Sequence, residues 1–374
     1  MKAYFFLILL PFCLVSCKHK NSSKPTESIT DLKTDSVSHI TLLFVGDVMQ
    51  HKPQVNAAKT QYDYDYSMCF QHIQKEVKQA DLAIANLETT LGGKPYSGYP
   101  MFSSPDELLY ELLNTGFNVI QTANNHILDR KAKGLHRTLS ILDSLNVYHT
   151  GSYTSKSNRE QKNPLYIEKK GFKIAFLSYT YGTNGLTVDS PYIVNYIDTA
   201  VIGKDIQKAK LQQPDVIISL LHWGEEYQKN PNKGQKKLAH WLIKNGVDHI
   251  IGSHPHVIQP IHVLTDTLKD QKNVIAYSIG NFISNMQREG TDGGMMLKLV
   301  LRKDSCVQLK SCEYNLVWTG RPIVTEEKNF ILFPTSEKEF ELNTKAHQSR
   351  THFLTNTRKR LARYNQGSTE YILE

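Results

Sequence analysis

The sequence predicts an α/β fold in layers, built around mixed sheets. Between residues 40 and 251, apolar strand-like runs alternate with helix-like segments, which is the pattern of parallel strands joined by helices. From 257 to 317 the pattern changes to successive strands with short turns, which favours antiparallel pairing. The 374 residues suffice for a large core, in one big domain or in one domain with a smaller partner.

The first predicted elements are strand 40–46, helix 67–79 and strand 81–87. A helix over 105–115 follows, because Ser-Pro-Asp-Glu before it is typical of a capped helix start and Gly116 ends it. The later elements are, in order, strand 117–122, helix 133–145, strands 164–168 and 172–179, helix 201–212, strand 215–221, helix 233–245 and strand 248–251. Four more strands are predicted within VIQPIHVL, NVIAYSIGNFI, MMLKLVL and VQLKSCEYNLVW, and the charge-rich residues 336–374 are expected as a solvated terminal helix or tail.

The N-terminal part of the chain predicts export and attachment to a membrane. A lysine precedes an apolar stretch at 3–15, which is too short to span a bilayer and has the length of a signal-peptide core. Leu-Val-Ser-Cys resembles the end of a bacterial lipoprotein signal, so we expect removal of residues 1–16 and lipidation of Cys17; a plain secretory peptide cut nearby is the alternative. The polar residues 17–38 predict a flexible tether. The expected location is the bacterial cell envelope, anchored to a membrane surface without spanning it.

The formal net charge is +8, and the lysines and arginines are spread along the chain. Because no basic nucleic-acid patch is evident, nucleic acid is not expected as a partner. A mildly basic protein suits an anionic polymer or a phosphorylated substrate.

Two cysteines near the end of the strand-rich segment are candidates for a disulfide. Cys306 and Cys312 lie six positions apart, which on one extended strand is about 20 Å. Only a turn between them would bring their sulfur atoms within bonding distance.

Five apolar runs each end in side chains that bind metals or transfer protons. The runs are HITLLFVGDVMQH (39–51), DLAIANLE (81–88), FNVIQTANNHILD (117–129), DVIISLLHWGEE (215–226) and DHIIGSHPH (248–256). In open α/β sheets, ligands and catalytic groups gather at the carboxyl edge of the strands. We therefore expect the five runs to form one shared site for divalent metal.

The first two runs supply Asp47, His51, Asn86 and Glu88. Asp47 can hold one metal or bridge two, although a turn cap would explain it equally well by itself. His51 reaches the same site if the chain turns helical after Asp47; otherwise it is a surface histidine. Glu88 is charged where the strand pattern predicts burial, so it needs a metal, a cation or an exit to solvent. Asn86 is a candidate metal or substrate contact.

The third run carries Asn124, Asn125, His126 and Asp129. Adjacent amides and an imidazole at a strand end are costly to bury unless something organises them. Asparagine binds metals weakly through its oxygen, whereas His126 is suited to act as a general acid. Asp129 is spaced to accept the second N–H of His126 and to orient its ring. A turn with a helix cap is the structural alternative.

The last two runs add imidazoles. His222 and Glu226 follow one buried strand, and His254 and His256 form an HxH motif after another. In an extended segment both rings of HxH point to the same side, so both could ligate one metal, or one could contact substrate. Asn281 is a candidate polar contact, with a structural turn as the alternative. Imidazole, carboxylate and amide oxygen together favour Mn, Fe or Zn over Ca or Mg.

Taken in order, the motifs GDVM, NLE, TANNHxxD, HWGxE, GSHPHxxQ and YSIGNF resemble those of the CapA family of poly-γ-glutamate capsule synthesis proteins. The resemblance covers roughly residues 40–285, and a CapA-like domain is expected over 39–335. That family is similar in turn to calcineurin-like metallophosphoesterases. The resemblance thus implies a layered α-β-β-α sandwich with mixed sheets and a two-metal site at the strand ends.

Matched motif by motif, the resemblance implies a set of metal ligands and a proton donor. The implied ligands are Asp47, Glu88, Asn125, His222, His254 and His256. His126 would be the proton donor beside the reacting group. Two motifs depart from the metallophosphoesterase pattern: Val48 and Met49 follow Asp47 where Asp-x-His is usual, and Glu88 takes the place of a bridging aspartate.

Three functions are compatible with these residues. The favoured one is a lipid-anchored, metal-dependent hydrolase of the phosphoesterase type that acts in production or export of a capsule or envelope polymer. The second is a non-catalytic, metal-stabilised component of a complex with other capsule-synthesis proteins. The third is cleavage or transfer of an amide in poly-γ-glutamate or in a peptidoglycan peptide.

Overall fold

The computed structural model describes residues 37–266 and 271–374, which belong to one compact unit. The predicted signal peptide, the lipidation site Cys17 and nearly all of the predicted tether lie outside the described residues. Within them, no helix combines the length and the apolar character needed to cross a membrane.

The strands follow the predicted positions closely through the alternating part of the chain. They are β1 (Ser38–Val48), β2 (Leu82–Leu87), β3 (Val119–Gln121), β4 (Tyr148–Thr150), β5 (Ser152–Tyr153), β6 (Leu165–Lys169), β7 (Phe172–Thr180), β8 (Ile193–Val194), β9 (Val216–His222), β10 (His249–Ser253), β11 (Ile261–Asp266), β12 (Gln271–Ala276), β13 (Asn281–Ile283), β14 (Gly293–Lys303), β15 (Val307–Gly320), β16 (Ile331–Pro334) and β17 (Thr369–Glu370).

The helices flank these strands. They are α1 (Lys52–Ala58), α2 (Ser67–Phe70), α3 (Gln74–Gln79), α4 (Glu107–Thr115), α5 (Lys131–Ser144), α6 (Lys156–Lys162), α7 (Thr199–Leu211), α8 (Lys233–Lys244), α9 (Pro322–Thr325) and α10 (Thr344–Tyr364). The single helix predicted over 67–79 is therefore two short helices, α2 and α3, separated by a turn.

Most strands belong to two large sheets, and both sheets are mixed. In the described residues, one has nine strands in the order β16-β15-β14-β1-β2-β3-β4, with β13 beside β1 and β17 beside β15. The other has six strands in the order β11-β12-β10-β9-β7-β6. Strands β1 to β4 are parallel and form one side of the larger sheet, whereas β12, β10, β9 and β7 are parallel at the centre of the smaller one. The β14–β15 and β11–β12 pairs are antiparallel. The change of pattern after residue 257 predicted this mixture.

Alternating side chains place the two sheets face to face between helices. Leu42 and Phe44 of β1 share a buried cluster with Ile218 of β9, whereas Leu43 belongs to a second cluster with α2 and α4. Ile217 of β9 faces the other way, into a cluster with α7 and α8. Since strand side chains alternate between faces, each apolar strand fills two layers of core. The predicted layered α-β-β-α sandwich is confirmed.

The C-terminal segment packs more closely than its charge suggested. Residues 344–364 do form a helix, α10. However, its Phe353 and Leu361 are buried in the same hydrophobic cluster as Leu42 of β1. Residues 369–370 then add β17 to the larger sheet. The expectation of a solvated helix or tail is therefore corrected: the apolar stripe of α10 packs in the core, and its exposed charges are Lys345, Arg358, Lys359 and Arg363.

The cysteines in the described residues are free. Cys306 is exposed in the turn between β14 and β15, while Cys312 is buried within β15, where it pairs with Leu299. Cys306 lies in the turn itself, and the chain then runs along β15 to Cys312 without turning back. The turn therefore does not bring the two sulfur atoms together.

Candidate metal centre

Strand ends from both sheets converge at one edge of the sandwich. Asp47 lies near the end of β1, Glu88 follows β2, and Asn125 follows β3. His222 ends β9 in the other sheet, and the HPH segment follows β10. The five runs that were predicted to share a site therefore do meet, because all five strands are parallel members of their sheets.

Asp47 is held by one neighbour from each sheet. Its Oδ1 accepts a hydrogen bond from Asn86 Nδ2 at 2.8 Å, and its Oδ2 lies 3.1 Å from His256 Nδ1. Burial opposes ionisation of the carboxyl, but the hydrogen bonds from His256 and Asn86 keep its pKa below the usual value. Asp47 is therefore an ionised, buried carboxylate.

A glycine sets the position of Asp47. The backbone N–H of Asp47 donates to the carbonyl oxygen of Gly280 at 3.1 Å. A Cβ at Gly46 would lie 1.8 Å from that same oxygen, so only glycine allows the approach. β13 then runs parallel to β1 and places Asn281 beside Asp47.

Glu88 is a buried carboxylate with no hydrogen-bond partner for either oxygen among the described residues. Its Oε1 lies 3.5 Å from His222 Nε2 and 3.9 Å from His256 Nε2. Burial, followed by the nearby charge of Asp47, raises its pKa well above the usual value. A carboxylate in this setting calls for a cation, so these residues fit a bound metal.

His222 and Asn125 form the opposite wall of the site. His222 Nε2 lies 2.8 Å from Asn125 Oδ1, and its Nδ1 lies 3.1 Å from Ser253 Oγ. Burial lowers the pKa of His222 well below the usual value, so the ring is neutral, as a metal ligand must be. Ser253 orients the ring through the nitrogen that faces away from the site.

The two HPH histidines converge by a different route from the one predicted. Their backbones are left-handed, with φ of 96° at His254 and 58° at His256, so the segment is not extended. The rings lie 5.8 Å apart between centroids. Alternation along a strand therefore does not explain their approach; two uncommon backbone conformations do.

The partners of the HPH rings differ. His256 Nδ1 also lies 3.0 Å from Asn281 Oδ1, whereas His254 Nδ1 is buried without a hydrogen-bond partner in the described structure. Burial lowers the pKa of His254 to about 3. Tyr181 covers His254, with 4.4 Å between ring centroids.

Ligand atoms form three groups, each within 4.8 Å, and Glu88 belongs to two of them. The groups are Asp47 with Glu88 and His256, Glu88 with His222 and His254, and Glu226 with His254 and His256. Each of these groups could hold a metal ion, and Glu88 lies within reach of two of them. Glu226 is the exposed member of its group and lies at the mouth of the site.

His126 lies beside these groups but belongs to none of them. Its Nδ1 is 2.7 Å from Asp129 Oδ2, which also accepts the backbone N–H of Phe102 at 2.7 Å. The predicted pairing of His126 with Asp129 is present, and it leaves Nε2 as the ring nitrogen directed away from the pair. His126 is 4% exposed, so its ring is sheltered from bulk water.

Asn86 and Asn124, which were predicted as possible metal or substrate contacts, hydrogen-bond to other residues of the site. Asn124 Nδ2 donates to Asn86 Oδ1 at 3.1 Å, and Asn86 in turn donates to Asp47. Asn124 Oδ1 accepts the backbone N–H of His126 at 3.2 Å. The two amides thus link His126 to Asp47 through hydrogen bonds, a connection that the separate motifs did not indicate.

His51 was predicted as a possible ligand, and the structure places it outside the described ligand groups. It lies just before α1, where its Nδ1 accepts the backbone N–H of Asn285 at 3.3 Å. Burial lowers the pKa of His51 to about 4. Ser253 and Tyr181 were not predicted as site residues, since a lone serine or tyrosine in a strand-end loop carries no signal in sequence.

Comparison with known proteins supports the family resemblance. Residues 41–286 match the model of the family described as bacterial capsule synthesis protein PGA_cap. The chain is 26% identical over 324 residues to the capsule biosynthesis protein CapA of Bacillus anthracis, covering 83% of this chain and 76% of that protein. It is 28% identical over 280 residues to the PGA biosynthesis protein CapA of Bacillus subtilis (strain 168), covering 73% and 70%.

Solved structures resemble the chain at the level of fold. NAD nucleotidase (NadN) of Haemophilus influenzae gives a TM-score of 0.50 at 12% identity, covering 90% of this chain and 65% of that one. The calcineurin-like phosphoesterase YfkN of Bacillus subtilis gives a TM-score of 0.46 at 14% identity, covering 86% and 98%. The similarity to NadN shows a shared fold. Because the family model spans more than half of the chain, this protein belongs to the bacterial capsule synthesis protein PGA_cap family.

Proposed function

We propose that the protein is a metal-dependent hydrolase of the phosphoesterase type that acts in production or export of a capsule polymer. One observation carries the proposal: the buried, unpartnered carboxylate of Glu88 is shared by two ligand groups. A buried charge without a partner is strongly destabilising, so a protein retains it where a cation neutralises it.

The residues that would hold two divalent ions are the six named by motif. Asp47, Glu88 and His256 would hold one, and Glu88, Asn125, His222 and His254 the other. The neutral imidazoles and the amide oxygen favour Mn, Fe or Zn. Bound metals of this kind clamp an anionic substrate and lower the pKa of water.

His126 supplies the proton that the leaving group needs. With the ring doubly protonated, His126 donates its Nδ1–H to Asp129, and its Nε2–H is the proton that passes to the leaving group, which leaves the ring neutral. Phe102 shields the ring, with 4.6 Å between centroids, so the proton is not exchanged freely with bulk water. Asn124 fixes the backbone of His126 relative to Asn86 and hence to Asp47.

The capsule assignment rests on the family and on relatives named for capsule and PGA biosynthesis. Anchoring through a lipid at Cys17, a place in the bacterial envelope and partners among capsule-synthesis proteins extend the same proposal. The substrate is an anionic polymer or a phosphorylated precursor of one, which agrees with the net positive charge.

Metal analysis and hydrolysis test the proposal together. The full chain, purified without oxygen in detergent, is expected to contain two transition-metal ions and to cleave bis(p-nitrophenyl) phosphate until a chelator is added. A metal-free protein whose stability does not change on chelation would overturn the proposal.

Two rival functions predict different results. If the protein is a non-catalytic component, metal binds but His126→Ala leaves polymer output unchanged. If it cleaves an amide, poly-γ-glutamate or a peptidoglycan peptide is shortened by the native protein and not by Asp47→Asn, while the phosphoester is left intact.

A further inference from the structure

The chain turns back beside the metal centre directly after β7. Thr180, the last residue of β7, pairs with His222 of β9, and the backbone N–H of Tyr181 donates to the carbonyl oxygen of His222 at 2.9 Å. The ring of Tyr181 then lies against the ring of His254. The segment that follows, Gly-Thr-Asn-Gly at 182–185, therefore begins beside two of the candidate metal ligands.

This segment forms a tight turn. Asn184 and Gly185 are both left-handed, with φ of 52° and 78°. The backbone N–H of Leu186 donates to the carbonyl oxygen of Thr183 at 2.9 Å, which closes the turn. Two consecutive left-handed residues inside such a hydrogen bond are typical of a type I′ turn, for which Asn-Gly is a preferred pair. The backbone alone would accept glycine in place of Asn184 equally well.

The side chain of Asn184 makes a contact that the turn does not require. Its Oδ1 accepts a hydrogen bond from Nδ2 of Asn125 at 3.2 Å, and the hydroxyl of Tyr181 donates to the same oxygen at 3.5 Å. Asn184 is itself exposed, whereas Asn125 is 1% exposed. A side chain from an exposed turn thus reaches a buried residue of the metal centre, and Tyr181 holds its oxygen in place.

This contact decides which end of the Asn125 amide faces the other candidate ligands. A side-chain amide carries an acceptor oxygen at one end and a donor NH₂ group at the other, and only the oxygen binds a metal ion. Asn184 takes the NH₂ group of Asn125, so Oδ1 of Asn125 lies 2.8 Å from Nε2 of His222. Rotation of the amide by half a turn would put the NH₂ group beside His222 and would set the oxygens of Asn125 and Asn184 against each other.

We propose that Asn184 is a positioning residue of the metal centre, whose oxygen holds the amide of Asn125 with Oδ1 on the side of His222. This inference rests on the proposed function, since it concerns how one ligand of that centre is oriented. Replacing a residue that hydrogen-bonds to a metal ligand typically lowers metal affinity about 10–100-fold. The exposed turn would in this way contribute to ion binding without touching the ion.

Three variants of the full chain separate the side-chain contact from the turn. Asn184→Gly keeps a residue that adopts the left-handed backbone but removes the acceptor. Asn184→Asp keeps an acceptor oxygen of the same reach, and aspartate also tolerates the left-handed backbone. Asn146→Gly is the matched control, because Asn146 is likewise exposed and left-handed, with φ of 53°, in the turn after α5. Similar thermal melts of the metal-free proteins are expected and establish that each variant is folded.

Titration of the metal-free chains with Mn²⁺, followed through the electron paramagnetic resonance signal of the free ion, measures the affinity. Asn184→Gly is expected to bind one of the two ions about tenfold or more weakly and the other like the native chain. Asn184→Asp is expected to bind both at least as tightly as the native chain, and Asn146→Gly to bind like it. Native affinity in Asn184→Gly would overturn the inference, and so would equal weakening in Asn184→Gly and Asn184→Asp, because the acceptor would then be irrelevant.

A second comparison removes the need for orientation. Asn125→Asp places an oxygen at both ends of the side chain, so its rotation no longer changes which kind of atom faces His222. Adding Asn184→Gly to Asn125→Asp is therefore expected to leave the Mn²⁺ affinity unchanged, in contrast to its effect on the native chain. The same loss of affinity in both backgrounds would contradict the positioning role.

The outcomes distinguish this inference from the proposed function. If the native chain binds Mn²⁺ and cleaves the phosphoester while Asn184→Gly binds the ion equally tightly, only the positioning role is contradicted. If Mn²⁺ affinity depends on Asn184 but the native chain cleaves no phosphoester, only the hydrolase is contradicted. A native chain that binds no Mn²⁺ overturns the metal centre and both proposals with it.

Discussion

The Oε1 atom of Glu88 lies 3.5 Å from Nε2 of His222, and the two residues belong to different sheets. Neither side chain is exposed to solvent. The carboxylate has no hydrogen-bond donor among the described residues, and the ring is neutral because burial lowers its pKa. The contact therefore places a buried acid that lacks a hydrogen-bond partner in the described structure beside a neutral imidazole, and the acid dominates the behaviour of the metal-free protein.

Glu88→Gln is expected to stabilise the chelated protein at pH 8 by about 1–3 kcal/mol, because it removes the cost of burying an acidic group that lacks a hydrogen-bond partner. The pKa of Glu88 is raised in the folded state, so its stabilising protonated form is lost as pH rises through that pKa. The difference in stability between Glu88→Gln and the native chelated protein should accordingly be smaller at low pH. Urea unfolding with and without chelator measures it.

The same variant should lose the stabilisation that added metal gives to the native chain. Glu160→Gln replaces an exposed carboxylate on α6 and serves as the control. It should change neither the stability of the chelated protein nor the stabilisation that added metal gives. A Glu88→Gln protein less stable than the chelated native protein at pH 8 would contradict this prediction.

His126→Ala is expected to lower the rate of phosphoester cleavage by about 10²–10⁴-fold while leaving the metal content unchanged, since proton transfer and metal binding use different residues. Asp129→Asn should lower the rate less and shift the pH profile, because the ring loses the acceptor that fixes its tautomer. Rate profiles against pH, with metal analysis of each variant, measure both effects. His136→Ala, at an exposed histidine of α5, should behave like the native protein.

Gly46→Ala is expected to destabilise the protein by about 3 kcal/mol or more, because the new Cβ would lie 1.8 Å from the Gly280 carbonyl oxygen. That oxygen belongs to the backbone and cannot rotate away. Gly182→Ala is the matched control, since no atom lies within 4 Å of its Cβ. Similar unfolding midpoints for the two variants would contradict the prediction. They would show that β1, which carries Asp47, can move away from the Gly280 carbonyl at little cost.

The pH dependence of stability should contain a contribution from Glu107 at the start of α4. Burial, followed by a hydrogen bond with Asp63, raises the pKa of Glu107 to about 7. The folded state then binds the proton more tightly than the unfolded state, so this stabilisation is complete below the unfolded pKa and is lost as pH rises through about 7. As the pH rises from 5 to 8, the stability of Glu107→Gln relative to the native protein should therefore increase. A constant difference would contradict the prediction.

Local sequence was sufficient to predict most of the layers. Alternation in β1 and β9 distinguishes the residues that face the other sheet from those that face helices, and this depends only on neighbours in the chain. The helix α10 was predicted less well. Its charges are visible in sequence, whereas the burial of Phe353 depends on a sheet assembled from distant segments.

The candidate site shows the same limit. Each strand end delivers its side chain where the motif predicts, because the carboxyl edge of a parallel sheet is set by topology. The left-handed backbone of His254 and His256 and the Nδ1 contact of His51 with Asn285 depend on the tertiary structure. Spacing alone therefore suggested His51 as a ligand, whereas its hydrogen bond from Asn285 is visible only in the folded structure.

The contact between Asp47 and His256 joins residues 209 positions apart, and the described part of the chain contains no disulfide. A metal that stayed bound to both residues during unfolding would tether the unfolded chain as a covalent cross-link does. For a loop of this length, the loss of chain entropy in the unfolded state corresponds to about 5 kcal/mol. A metal centre placed between the two sheets would in this way also act as a long-range cross-link of the fold.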